Sequence, residues 1–155
     1  MISGIRANAE IAVRAGLTYI QFADRPESDA LAIDAYLTSL EPVSSPYLDD
    51  PEIAGAAIRG KDVFAAAGCA DCHPAPLFTD QASYDVGIGT GRERGTLFDT
   101  PTLVELWRTA PYLYDGRAKD VEQVLREYNH DDMHGDTSAL DMHKVDDLIC
   151  YLLTL

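Results

Sequence analysis

The run Cys69-Ala70-Asp71-Cys72-His73 constrains this chain more than any other stretch. Two thiols three positions apart can each add to a vinyl group of a haem, and the histidine that follows is then held under the iron as an axial ligand. Other chemistries use the same residue types. A redox dithiol also reads C-x-x-C, but it normally opens a helix after a strand in a βαβ pattern, and no such pattern surrounds these residues. Half a zinc site could be completed by His130 and His134, whose spacing is suitable. A chance occurrence is the remaining alternative. The histidine directly after the second cysteine favours one covalent haem c.

A length of 155 residues suits one domain, or one domain with a piece of another, and 46% hydrophobic residues are enough to bury a core. With 26 acidic against 12 basic residues the net charge is −14, the wrong sign for a nucleic-acid or anionic-membrane surface. A basic partner is compatible with it. Of the three cysteines, Cys150 lies in an apolar run and reads as a small core residue, so no structural disulfide is implied. No stretch approaches the roughly 18 apolar residues of a membrane-spanning helix. Between Met1 and Phe22, Arg6, Asn8, Glu10 and Arg14 interrupt every candidate signal-peptide core. Haem c is attached outside the bacterial inner membrane, so the expectation is a periplasmic or otherwise extracytoplasmic protein. Either a leader has been removed or the chain begins inside a longer protein, and the second is the expectation.

Along the chain, Asn8 to Phe22 reads as a weak helix with Ile11, Ala15 and Tyr19 on one side, ended by Asp24-Arg25-Pro26. Ser28 is expected to cap a second helix through Leu40, with Leu31, Ile33, Tyr36, Leu37 and Leu40 toward one face. Its YL-x-x-L ending matches that of the whole chain, so residues 1–40 read as the closing helices of a preceding haem domain. Residues 41–50, EPVSSPYLDD, read as a linker, and 51–155 as the haem domain. Asp50-Pro51 starts a helix in which Ile53, Ala57, Gly60 and Phe64 repeat at helical spacing, and Gly68 can end it. Pro74 to Thr100 has no periodicity and is long for a loop with nothing to wrap; a haem supplies that surface. A short helix is expected from Thr100-Pro101 through Arg108, placing Leu103, Leu106 and Trp107 among buried groups. Asp120 with Gln123 starts Val121 to Tyr128, and Asp141 caps a last helix with the stripe Val145, Leu148, Ile149, Leu152. The reading is all-α, with loops as the wall of a cofactor pocket.

The group opposite His73 decides what the iron does: a second strong ligand leaves only electron transfer, whereas an open position admits a small molecule. Tyr128, His130, Met133, His134, Met142 and His143 are the candidates, the last two disfavoured by their place in the first turn of the final helix. Asp and Glu residues could also hold a calcium ion, but no motif supports it.

Three stretches, Gly68-Cys-Ala-Asp-Cys-His-Pro-Ala-Pro-Leu-Phe-Thr-Asp80, Tyr84-Asp-Val-Gly87 and Phe98 to Arg117 (FDTPTLVELWRTAPYLYDGR), together with His134-Gly135, resemble the C-terminal haem domain of the di-haem cytochrome c peroxidase family. The likeness covers about residues 30 to 155 and is strongest to di-haem cytochrome modules appended to bacterial β-propeller proteins. It implies a cytochrome c-like helical domain with long loops wrapping the haem, thioethers at Cys69 and Cys72, and His73 as an axial ligand. It further implies haem contacts from Arg117 and Trp107, and His134 as the sixth ligand, with Tyr128 and Met133 as alternatives. The family's Pro-Tyr-x-His-Asp-Gly reads Pro-Tyr-Leu-Tyr114-Asp-Gly here, which removes any role of that histidine. Two functions follow from the resemblance. One is electron transfer through a single six-coordinate haem c toward a redox protein or adjoining haem domain. The other is the electron-donating half of a di-haem peroxidase or oxidase whose N-terminal haem domain is absent. No catalytic residue is assigned.

Overall fold

The computed structural model describes residues 6–155, and its chain divides into two compact units after Pro42. In the first, the Asn8 side chain accepts the Ile11 N–H and opens α1 (Ala9–Ala15), which continues as a wider π turn over Gly16–Ile20. Helix α2 (Glu27–Thr38) starts one residue before Ser28. Pro26, in extended backbone, occupies the capping position without a side-chain bond, so Ser28 is not the cap. Arg14 ties the two helices together through Asp34 at 2.8 Å and through Glu27. The expected apolar faces do not meet a core here. Ile11, Tyr19, Leu31, Tyr36, Leu37 and Leu40 are exposed, and Ala30 is the buried residue of α2. The first five residues of the 1–40 stretch lie outside the described residues.

The second unit begins in the stretch read as a linker, which is more ordered than its composition implies. The Val43 N–H donates to the Glu105 carboxylate at 2.6 Å, and the buried Ser45 hydroxyl donates to the Leu153 carbonyl at 2.6 Å. A 3-10 turn follows at Pro46–Asp49. Asp50 then caps α3 (Pro51–Ala66) by accepting the Glu52 and Ile53 N–H groups. Ala57, Gly60 and Phe64 of α3 are buried and face α6 (Met142–Leu153), whose Val145, Leu148 and Leu152 are buried in turn. The two helices approach so closely that a methyl group at Gly60 would lie 1.9 Å from the Asp147 carbonyl oxygen. Phe64 meets the Tyr151 ring edge-on at 5.3 Å and the Phe78 ring at 6.3 Å. Helix α5 (Val121–Arg126), capped by Asp120, adds Val121 and Leu125 to the same core. Asp141 caps α6 through the Lys144 N–H.

Helix α4 (Cys69–Cys72) is a single turn carrying the motif. Beyond it the chain is mostly irregular, pinned by two short antiparallel strands, β1 (Ser83–Tyr84) and β2 (Phe98–Asp99), with Ser83 opposite Asp99. The expected helix from Thr100 to Arg108 is reduced to a 3-10 turn at Leu106–Arg108. The Thr102 hydroxyl donates to the Leu77 carbonyl and Leu103 N–H to the Phe78 carbonyl, so the segment bonds sideways to its neighbour instead of along itself. Leu103, Leu106 and Trp107 are half-buried there. The architecture is an all-α, cytochrome c-like fold.

Candidate haem site

Helix α3 ends where Ala67 is followed by Gly68 at φ 75°, a left-handed conformation that glycine adopts without steric cost. That turn starts α4 at Cys69. His73 follows, 8% exposed, with its Nδ1 2.9 Å from the Phe78 carbonyl. A carbonyl only accepts, so Nδ1 carries the proton and the lone pair is left on Nε2. A bond of this kind fixes the tautomer and the ring orientation of an imidazole that binds metal through its other nitrogen. Burial holds the His73 pKa below the ordinary histidine value, against the opposing effect of the Phe78 carbonyl.

The two cysteines are free thiols. Burial pushes Cys69 up to about 11 and raises Cys72 as well. A redox dithiol needs the opposite, a thiol whose pKa is depressed so that thiolate is present at neutral pH. Among the described residues no group of three or more His, Cys, Asp or Glu side chains is arranged to hold a metal ion, which removes the geometric support for the zinc alternative and for a calcium cage. His130, needed for the zinc alternative, is exposed.

His134 is placed quite differently from the other candidates. Its pKa falls to about 4, from burial first and then from the charge of nearby His73. It is therefore neutral at physiological pH, the state in which imidazole ligates. Its backbone N–H donates to the Asn129 carboxamide oxygen at 2.8 Å, while the Asn129 NH₂ group donates to the Gly135 carbonyl and the Thr137 hydroxyl, both at 2.7 Å. Thr137 passes its own hydroxyl proton to the Leu125 carbonyl at the end of α5. The Asp136 N–H donates to the Ala67 carbonyl at 2.9 Å, and a Cβ at Gly135 would sit 3.5 Å from the Cys69 sulfur. The His134 loop is thereby fastened to the turn that carries the motif. Sequence reasoning missed Asn129; an Asn between α5 and a polar loop, just before the 3-10 turn at His130–Asp132, was its available signal.

Met133 is 46% exposed and packs on Gly87, where a Cβ would lie 3.0 Å from its sulfur. Tyr128 is half-buried, with the Arg117 guanidinium 5.7 Å from its ring centroid. Met142 and His143 are exposed. Arg117 is anchored by Asp115, and its Nη2 also donates to the Tyr114 hydroxyl at 3.0 Å and the Thr90 hydroxyl at 3.3 Å. Its Nη1 makes no hydrogen bond among the described residues. Tyr114 stacks on Phe98 at 4.7 Å. The Trp107 Nε1 is enclosed without any acceptor.

These features bear on whether the residues fit a covalently held haem. They offer two thiols beside a buried imidazole with its Nε2 lone pair free, a second neutral imidazole near the first, and one enclosed donor, the Trp107 Nε1–H, without an acceptor. All fit that group. Fold and site together define an all-α, cytochrome c-like domain built around a C-x-x-C-H motif.

No family model matches the chain. It is similar to hydrazine synthase subunit gamma of Kuenenia stuttgartiensis, with 29% identity over 169 residues, covering 80% of this chain and 48% of the relative. Methylamine utilization protein MauG of Methylorubrum extorquens is 34% identical over 94 residues, covering 52% of this chain and 27% of MauG. The MauG of Methylophilus methylotrophus is 30% identical over 129 residues, covering 69% and 38%. A chain of a Kuenenia stuttgartiensis hydrazine synthase structure pressurized with xenon superposes with a TM-score of 0.77 at 26% identity, over 94% of this chain and 60% of that one. The chain thus spans about half the length, or less, of the curated relatives it matches. No helix among the described residues is long and apolar enough to cross a membrane.

Proposed function

We propose that this domain transfers single electrons through one haem c bound by thioethers at Cys69 and Cys72, with His73 and His134 as the two axial ligands. The observation that carries the proposal is His134: half-buried, neutral, close to His73 and fixed by Asn129 beside the Cys69 turn. The haem iron supplies the one-electron couple. Around it the chain's own residues bind and orient. Phe78 holds His73 through Nδ1, Asn129 holds the loop of His134, and Arg117 and Trp107 present donors toward the cofactor's carboxylates. Two strong ligands close the iron to small molecules, so the domain is a carrier, not a catalyst, and its partner is a redox protein or an adjoining haem domain. Extracytoplasmic maturation follows from the thioether attachment. The likeness to the di-haem cytochrome c peroxidase family and the similarity to MauG and hydrazine synthase subunit gamma support a redox role. In the same reading, residues 1–40 are the closing helices of a preceding haem domain, 41–50 the junction, and 51–155 the haem domain.

The longer relatives favour a second reading, in which the domain is the electron-donating half of a di-haem peroxidase or oxidase. Expression with a c-type cytochrome maturation system is expected to give one covalent haem by mass and by pyridine haemochrome spectrum. His134→Ala is then expected to convert a six-coordinate low-spin iron into a five-coordinate high-spin one. An unchanged spectrum would transfer the ligand role to Tyr128 or Met133, and a colourless folded protein would end the haem reading. Peroxide turnover by this chain alone would overturn the carrier assignment.

A further inference from the structure

Tyr84 opens one of the stretches singled out by sequence, yet it has no part in the site described above. Its ring is 38% exposed, but its hydroxyl is fixed. The phenol donates to the Asp80 carboxylate at 2.6 Å and lies within hydrogen-bonding reach of the Cys72 sulfur. Asp80 cannot swing away, because its other carboxylate oxygen accepts the Ala82 N–H at 2.9 Å and its own N–H donates to the Cys72 carbonyl at 3.0 Å. The pairing of β1 with β2 sets Tyr84 opposite the buried Phe98. An exposed aromatic ring is thus clamped against the motif sulfur that lies nearer the surface, Cys72 rather than Cys69.

The charge around this contact has one sign. Among the described residues, the charged side chains acting on Cys69, Cys72 and Tyr84 are Asp71, Asp80 and Asp136, with no Lys or Arg. Asp71 and Asp136 are exposed. Tyrosine is a favoured anchor of protein interfaces, and a surface of one sign steers in a partner of the other. We propose that Tyr84 is where a small, basic redox protein docks on this domain, and that electrons pass between the two through the Tyr84–Cys72 contact. This rests on the covalent-haem reading above and names the partner's charge and the point of entry. One electron leaves the partner's reduced metal centre and arrives on the ferric iron, and no bond forms or breaks. The Tyr84 phenol, pushed up to about 12 by its bond to Asp80, keeps its proton throughout.

The experiment uses the matured holoprotein and, as probe, zinc-substituted mitochondrial cytochrome c, a basic protein whose photoexcited triplet donates one electron. In the isotopically labelled ferrous protein, the probe is expected to shift the amide NMR signals of Asp71, Asp80 and Tyr84. Shifts confined to another face overturn the proposal without recourse to any variant. Tyr84→Leu is expected to slow quenching of the triplet by the ferric protein roughly tenfold, the scale of losing an aromatic anchor, with the haem spectrum unchanged. Asp71→Asn is expected to slow it about threefold at low ionic strength and much less in high salt. Glu52→Gln, which removes an equal charge about 20 Å away along α3, is expected to leave the rate unchanged. Equal slowing by both charge variants would reduce the effect to net charge, and a wild-type rate in Tyr84→Leu would remove the entry point; either result overturns the proposal. A coloured sample that fails these tests refutes only the docking face, whereas a sample without a haemochrome spectrum refutes the haem reading itself.

Discussion

Two glycines on α3, five residues apart, are expected to respond to the same substitution with opposite sign. At Gly55 an added Cβ would meet nothing within 4 Å, and its backbone is helical. Gly55→Ala therefore gains only helix propensity, about 0.8–1 kcal/mol of stability. At Gly60 the added Cβ would lie 1.9 Å from the Asp147 carbonyl oxygen, 2.6 Å from its carbon and 2.8 Å from the Tyr151 Cβ. Contacts below 3.0 Å do not occur at real Cβ atoms, so α6 must retreat by about 3.0 − 1.9 ≈ 1.1 Å. The obstacle is backbone, which cannot rotate away as a long side chain can. Overpacking of this kind costs about 1–3 kcal/mol, and because backbone must move the cost lies at the upper end, about 2–3 kcal/mol, against the gain of about 1 kcal/mol from propensity. A net loss of about 1–2 kcal/mol is expected, or about 2–8 °C in Tm for a chain of this size. Urea unfolding of the holoproteins, followed by far-ultraviolet circular dichroism, measures both variants on one scale. Stabilisation of both would show that α3 and α6 do not meet as closely as described here, and the packing argument would fall.

Two other expectations concern the loop and the last helix. Asn129→Ala removes three hydrogen bonds that shape the His134 loop. With the imidazole itself intact, the ferric protein is expected to become a mixture of low-spin and high-spin iron in electron paramagnetic resonance; a wild-type spectrum would show that Asn129 does not position His134. The Asp141 carboxyl is held below its usual range, chiefly by the Lys144 N–H at the start of α6. A depressed carboxylate contributes stability that is complete above its unfolded pKa and is lost as pH falls through the folded one. Wild-type stability should thus decline toward acid more steeply than that of Asp141→Asn, which caps without titrating; parallel acid profiles in thermal melts would contradict this.

Local signals were legible where one or two neighbouring residues decide the outcome. Asp50, Asp120 and Asp141 each accept a nearby backbone N–H, as their positions before helical runs imply, and Asn8, read as the first residue of its helix, is the cap instead. Gly68 ends α3 because a left-handed residue is needed there, and the apolar stripe of α6 faces α3 because its spacing matches one side of a helix. Ser28 was a weaker signal, since Pro26 just before it supplied an entry that needed no side-chain cap.

Tertiary contacts decided the rest. Thr100 to Arg108 carries helix-starting residues, yet bonds to Leu77 and Phe78 hold it irregular, and no periodicity in the segment itself could announce partners 25 residues away. His130, Met133 and His134 are near neighbours in one polar loop and indistinguishable by spacing. Only the folding of that loop onto Ala67 and Cys69 brings a half-buried His134 near His73, while His130 and Met133 are left toward solvent. The chain's sequence by itself determined the thiol pair, its adjacent imidazole and the helices that deliver them, because capping and periodicity act over a few residues. Which second imidazole stands near the first depended on long-range burial and hydrogen bonds, which exist only once distant segments have met.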